Sequence, residues 1–244
     1  MRPRRAPLKP QTTTLWYAPS GQYSDEPMGL PGHPGATPAW VIWNLLERYT
    51  REGDLVVDPF CGGGTTLDVA RSMGRRALGY DVAPVRPDVF RADARRLPLE
   101  AGKADFVFMD PPYSTHLEYS KEEACIGELS AFEPAYFEAM ESAFAETERV
   151  LRDRRYLAVY VSDTFKKKRG FVGIGATLFG QLSRRFRAID HVAVARGSRK
   201  LEAPRFHKVA HEENFFLRGF QHLLIFKKEE PARPPGGSNP RARQ

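Results

Sequence analysis

Asp110-Pro111-Pro112-Tyr113 follows directly on the hydrophobic run Phe106-Val107-Phe108-Met109, and its residue types set a narrow chemistry. Proline has no N–H, so two in succession remove two donors from the turn and stiffen it. What remains is a row of acceptors, the Asp110 carboxylate and backbone carbonyls, directed past the strand end. An amino group is the natural guest for such a row. Tyr113 adds an aromatic face for a planar group, although an isolated tyrosine serves core packing equally well.

A second candidate lies upstream in Asp58-Pro59-Phe60-Cys61-Gly62-Gly63-Gly64-Thr65-Thr66, where apolar residues 55–58 give way to a helical pattern. Glycines let backbone approach a bound molecule closely. The first N–H groups of the following helix favour a carboxylate. The run is neither G-x-G-x-x-G nor a P-loop ending in Gly-Lys-Ser/Thr, which disfavours nucleotide hydrolysis. Asp81 ends the next apolar segment, where doubly wound folds place an acid against ribose hydroxyls. The glycines alone would also suit a plain tight turn, a reading that Asp81 weakens.

Together the two motifs resemble those of amino-methyltransferases, which carry D-P-F-x-G-x-G-T for cofactor and D/N/S-P-P-Y/F/W for catalysis. His33-Pro34-Gly35-Ala36-Thr37-Pro38 resembles the additional H-P-x-x-x-P cofactor motif of the DNA-modifying members. The resemblance spans residues 33–113 by motif and extends more loosely to residue 227. It implies S-adenosylmethionine as cofactor, with no metal. His33, Pro34, Asp58, Phe60, Cys61 and Gly62 would hold it, together with Gly64, Thr65, Thr66 and Asp81. Asp93 matches the acidic position beside the cofactor adenine. Asp110, Pro111, Pro112 and Tyr113 would be catalytic. The implied fold is α/β, a Rossmann-like class I methyltransferase sheet of seven strands, mostly parallel with a reversed last strand.

The implied reaction is methyl transfer to an exocyclic amino nitrogen of a DNA base, adenine-N6 or cytosine-N4, at a specific site. Such a nitrogen is a poor nucleophile because its lone pair is delocalised, so positioning carries most of the catalysis. Hydrogen bonds to Asp110 and the Pro111 carbonyl would localise that lone pair and stabilise the developing charge. Within a duplex the base must first be flipped out, at a cost of a few kcal/mol. Stacking on Tyr113 would offset this by roughly 1–3 kcal/mol. Cys61 sits inside the cofactor turn, and amino-nitrogen transfer needs no cysteine nucleophile. Asp at position 110 leans toward adenine, since cytosine-N4 enzymes more often begin the motif with Ser.

RNA is the competing substrate, because tRNA guanine-N2 methyltransferases resemble the same two motifs but usually carry an added RNA-binding domain. Protein-amide enzymes normally begin the tetrapeptide with Asn. A non-catalytic nucleic-acid-binding subunit is the reading from a different class, disfavoured by intact Asp110 and Gly62 to Gly64. A second copy of the chain and a cognate restriction enzyme are further possible partners.

Two basic clusters suit phosphate contacts: Lys166, Lys167, Lys168 and Arg169, then Arg196, Arg199, Lys200, Arg205 and Lys208. Solvated surface is their bland alternative. His207, His211 and His222 with Glu212 and Glu213 match no recognised metal spacing.

Strand-like and helix-like segments alternate through the middle of the chain, the pattern of a parallel sheet covered by helices. Helices are expected over residues 38–49, 65–72 (stopping at Gly74), 133–151 and 171–186. Strands are expected over 55–58, 77–81, 88–92, 106–110, 156–161, 188–195 and 220–226, with the last two pairing. Target-recognition insertions are expected at 114–133 and 196–218, within a single domain over 32–228. Residues 1–31, rich in Pro, Gly and basic side chains, read as a flexible arm in which Arg2, Arg4, Arg5 and Lys9 could meet phosphate. Residues 229–244 read as a disordered tail.

The 244 residues are 41% hydrophobic and 27% charged, enough apolar material for one good core. Lys and Arg exceed Asp and Glu by 37 to 30, and the resulting +7 favours a polyanionic partner. Two isolated cysteines exclude a disulfide framework and fit a reducing cytoplasm. No apolar run approaches the roughly 18 residues of a membrane span, and no signal-peptide core follows the Arg-rich start.

Overall fold

All six residues of strand β5 (Ala104–Met109) are buried, as a strand covered on both faces requires. In the computed structural model, which describes residues 9–18, 27–33, 35–113, 120, 122, 124–195, 201 and 203–229, this strand lies inside an eight-stranded sheet. Its companions are β1 (Leu15–Trp16), β2 (Leu55–Asp58), β3 (Arg76–Asp81), β4 (Val89–Arg91), β6 (Leu151–Val161), β9 (Arg187–Ala195) and β10 (Phe220–Lys227). The order is β1-β9-β10-β6-β5-β2-β3-β4. A separate hairpin joins β7 (Thr164–Lys166) to β8 (Gly170–Val172).

Strands β2, β3, β4, β5 and β6 run parallel, while β10 is antiparallel to both β6 and β9. This is the expected mostly parallel sheet with its last strand reversed. The strand count is eight rather than seven, and the addition comes from the segment expected to be a flexible arm. There β1 pairs in parallel with β9, Leu15 against Ala193 and Trp16 against Val194. Trp16 is buried against Trp40, with ring centroids 6.1 Å apart, and its indole N–H donates to the Thr13 carbonyl at 2.7 Å. The Gln11 amide donates to Asn44 Oδ1 at 2.7 Å. One tryptophan in a polar segment has no periodicity to reveal it, yet its burial anchors the chain.

The alternation of side chains along the strands divides the core in two. Phe106 and Phe108 point to one face with Val56, where Ile42, Leu45 and Leu46 of α1 (Ala39–Tyr49) and Val69 of α2 (Thr65–Ser72) cover them. Val107 and Met109 point to the other with Val57, under Tyr136, Met140 and Phe144 of α3 (Pro134–Val150) and Leu178 and Leu182 of α4 (Ile174–Ser183). The charge in β5, buried Asp105, accepts from the Leu55 amide at 2.9 Å and pairs with Arg152 at 2.6 Å and Arg155 at 3.1 Å.

Two other expectations are corrected. The helix expected from residue 171 begins at Ile174, because Phe171 is taken into the β7–β8 hairpin that Gly170, at φ +82°, allows to turn. The aperiodic stretch 196–218 contains helix α5 (Pro204–Glu212), opened by a proline suited to the first turn. Residues 1–8, 19–26, 34, 114–119, 121, 123, 196–200, 202 and 230–244 lie outside the described residues. With them go Pro34, Arg196, Arg199 and Lys200, much of the expected 114–133 insertion and nearly all of the expected tail.

Candidate active site

Parallel strands deliver their carboxyl ends to one edge of the sheet, where open α/β folds bind ligands. Asp58 ends β2, Asp81 ends β3, and Asp110 follows β5 directly. The glycine turn departs from Asp58, whose Oδ1 accepts from the Phe60 amide at 2.9 Å and which the Thr66 hydroxyl also meets. The Cys61 amide donates to the Tyr80 carbonyl at 3.0 Å and the Gly62 amide to Asp81 Oδ2 at 2.9 Å, so the turn is fastened to the end of β3. The Ala83 amide takes the other Asp81 oxygen at 2.9 Å. Gly64 enters α2 with φ +80°, and among the described residues no side chain caps the helix start. Its first N–H groups are left for a bound anion.

The glycines are also needed by the protein around them. A Cβ on Gly62 would lie 2.7 Å from His33 Nε2, and one on Gly64 would lie 2.6 Å from Arg86 Nη1. His33 reaches this position because residues 27–33 are docked on the turn, with the Leu30 amide donating to the Gly63 carbonyl at 2.8 Å and the Gly29 amide to Asp68 Oδ2 at 2.8 Å. Arg86 grips Asp68 with both terminal nitrogens, at 2.8 and 2.9 Å, and reaches Asp88 at 2.9 Å. Sequence reasoning missed this network, since single charges in polar loops carry no pattern.

Thr37 was also missed. Its hydroxyl donates to Asp110 Oδ2 in a short hydrogen bond, tying the loop before α1 to the Asp110–Tyr113 turn. Burial pushes the Asp110 carboxyl up to about 8, with the Thr37 hydrogen bond opposing this and the Asp58 charge adding to it. Asp58 is pushed up to about 7, again chiefly by burial, against hydrogen bonds from Thr66 and Phe60. Two acids in one low-dielectric cleft disfavour each other's ionisation.

A cleft of about 1050 Å³, including space open to solvent, joins these parts. Of the sequence-predicted cofactor residues, His33, Asp58, Phe60, Cys61, Gly62, Thr65, Thr66, Asp81 and Asp93 line it, and so do Asp110 and Pro112 from the set expected to be catalytic. Gly64 and Pro111 serve as backbone beside it, and Tyr113 packs against the core under α3. Thr37, Val85, Cys125 and Ile126 are also in the wall. Asp93 stands two residues beyond β4 with both oxygens held by Arg95, at 3.0 and 2.6 Å, so any ligand there shares its acceptors. Burial and the nearby Asp58 and Asp81 push the Cys61 thiol upward, which keeps it protonated.

The described basic residues lie apart from the cleft lining. Lys166 closes β7, while Lys167, Lys168 and Arg169 form the exposed hairpin turn. Arg205 and Lys208 are exposed on α5. His222 hydrogen-bonds Asp163 at 3.0 Å and His191 at 2.8 Å.

Residues 2–88, which include the His33 segment, the glycine turn and Asp81, match the N6/N4 methylase family, described as DNA methylase. Over these residues the chain is similar to that family, and the match covers roughly the first third of the chain. The matched residues build the glycine-turn side of the cleft, whereas Asp110 stands beyond them. The chain is 43% identical over 49 residues to the type II methyltransferase M2.DpnII of Streptococcus pneumoniae, 20% of this chain and 18% of that protein. Over 49 residues it is 39% identical to M2.LlaDCHI of Lactococcus lactis subsp. cremoris, with the same coverage. The alignments thus span less than a fifth of these curated relatives. Among solved structures, the [4+2]-cyclase SpnF superposes with a TM-score of 0.52 at 17% identity, covering 83% of this chain and 87% of its own. That likeness concerns the fold alone.

Proposed function

We propose that this chain is an amino-methyltransferase of the N6/N4 DNA methylase type, which transfers a methyl group from S-adenosylmethionine to the exocyclic amino nitrogen of a DNA base, adenine-N6 or cytosine-N4. The observation that carries the reading is the single cleft in which Asp110, held by Thr37, faces the glycine turn and Asp81.

The residues present fit the cofactor. The uncapped start of α2 suits its carboxylate, Asp81 retains acceptor capacity for ribose hydroxyls, and the buried acids suit a cationic ligand. When bound, it supplies an electrophilic methyl group. Asp110 has one oxygen occupied by Thr37, which leaves the other to accept from the base amino group. That hydrogen bond and the Pro111 carbonyl localise the nitrogen lone pair and orient it. Once alkylated, the nitrogen is strongly acidic, and a carboxyl pushed up to about 8 is a suitable acceptor for its proton. A target base within a duplex would have to be flipped out of the stack to bring its amino group to Asp110.

The test is nucleoside mass spectrometry of DNA and RNA treated with the purified protein and methyl-labelled S-adenosylmethionine, beside Asp110→Ala. Label on DNA N6-adenine or N4-cytosine that disappears with Asp110→Ala is expected. Label confined to RNA would replace the substrate, and no label on either would overturn the assignment.

A further inference from the structure

Hairpin β7–β8 and the segment between α5 and β10 are distant in sequence, but their side chains join them. Phe165 and Phe171 are cross-strand partners, so they share one side of the hairpin. There Phe165 stacks on Phe215 at 4.6 Å between centroids, and the Arg218 guanidinium lies 5.1 Å from the centre of Phe171. Lys167 adds an ion pair to Glu213 at 2.5 Å. The unit stands at the carboxyl end of β6, because β7 starts three residues after Val161 and antiparallel β10 begins at the same end with Phe220. Asp110 follows adjacent, parallel β5 at that end too.

Packing does not account for what this unit exposes. Phe216 is 87% exposed, two residues before Arg218, which donates to the Phe216 carbonyl. Phe171 and Phe220 are exposed as well. Lys168 and Arg205 are exposed and form no ion pair among the described residues. Exposed rings on elements that also carry cations without a carboxylate partner among the described residues complement a polymer with negative charge and accessible flat faces. Single-stranded nucleic acid has both, whereas a duplex hides its base faces and an acidic peptide lacks them.

We propose that Phe216, with Phe171 and the surrounding cations, is a stacking platform for unpaired DNA bases next to the target strand position. The proposal rests on the DNA reading above. It assigns the hairpin and the α5–β10 segment to one task, holding a locally opened strand while a base occupies the cleft.

Fluorescence anisotropy with a dye-labelled single strand of mixed sequence, and with the same strand in duplex, tests it on the full chain. Phe216→Ala should weaken single-strand binding by roughly five- to a hundred-fold and weaken duplex binding less. The salt dependence should stay unchanged, and Phe216→Trp should restore affinity. Lys168→Ala should instead reduce the salt slope by about 0.7. An unchanged melting temperature for Phe216→Ala confirms folding. Single-strand affinity equal to that of the unaltered protein in Phe216→Ala would overturn the platform while leaving DNA methylation standing. An unaltered protein that binds neither strand nor duplex would overturn both.

Discussion

The Thr37 hydroxyl donates to Asp110 Oδ2 across 73 positions of sequence. In the proposed reaction this bond would orient the carboxyl and leave Oδ1 for the incoming amino group. Thr37→Val, which keeps the shape and removes the donor, should lower kcat about tenfold with little change in cofactor KM. Thr37→Ser should retain most activity. Steady-state methyl-transfer kinetics check both.

Asp110 makes stability depend on pH. Its folded value is about 8, whereas an unfolded aspartate titrates near ~3.9. Between these values the folded chain binds more protons than the unfolded one, so this group's contribution to stability falls as pH rises. Asp110→Asn lacks the ionisation, and should be more stable than the unaltered protein by on the order of 1–3 kcal/mol at pH 8, with the gain shrinking toward pH 5. Thermal melts across this range decide it, while the same variant should lose methyl transfer.

Gly64→Ala places a Cβ at φ +80° and 2.6 Å from Arg86 Nη1. Calorimetry should show S-adenosylmethionine affinity weakened tenfold or more, since both the turn and its lock are displaced. Gly102 also has positive φ, +66°, but nothing lies within 4 Å of an added Cβ. Gly102→Ala should therefore cost about 1–2 kcal/mol of stability through backbone strain, and leave cofactor affinity intact.

Arg86→Ala should destabilise the fold by about 2 kcal/mol at neutral pH, the order for hydrogen bonds to charged groups. For Asp88 the largest influence is hydrogen bonding to Arg86, which holds its carboxyl below the ordinary value; at Asp68 burial opposes the same depression. The stabilisation is present above the unfolded aspartate range and is lost as pH falls through the depressed values. Chemical denaturation at pH 7 and at pH 3 should show the difference between variant and unaltered protein narrowing in acid.

Much of the site was legible because its chemistry is local. The D-P-F-C-G-G-G-T-T turn puts an acid, glycines and a helix start within nine residues, D-P-P-Y puts an acid and two prolines within four, and the apolar runs before them mark the supporting strands. The alternation of those runs with helical segments also predicted the parallel sheet and the amphipathic α3, while the reversed last strand was implied by the family resemblance alone. Phe171 was misread as helical because a three-residue strand is too short to establish a period of two. Trp16 gave no signal because one buried ring in a polar segment has no repeat.

By itself, then, the sequence determined the strand-turn-helix units and the identity of the acids at their ends, since hydrophobic period, proline and glycine act over a few residues. Tertiary structure alone decided which distant groups meet. It brought Thr37 to Asp110, Arg86 to Asp68 and Asp88, and Phe165 to Phe215. Such contacts follow from chain crossings that bury apolar faces, and leave no spacing rule along the sequence.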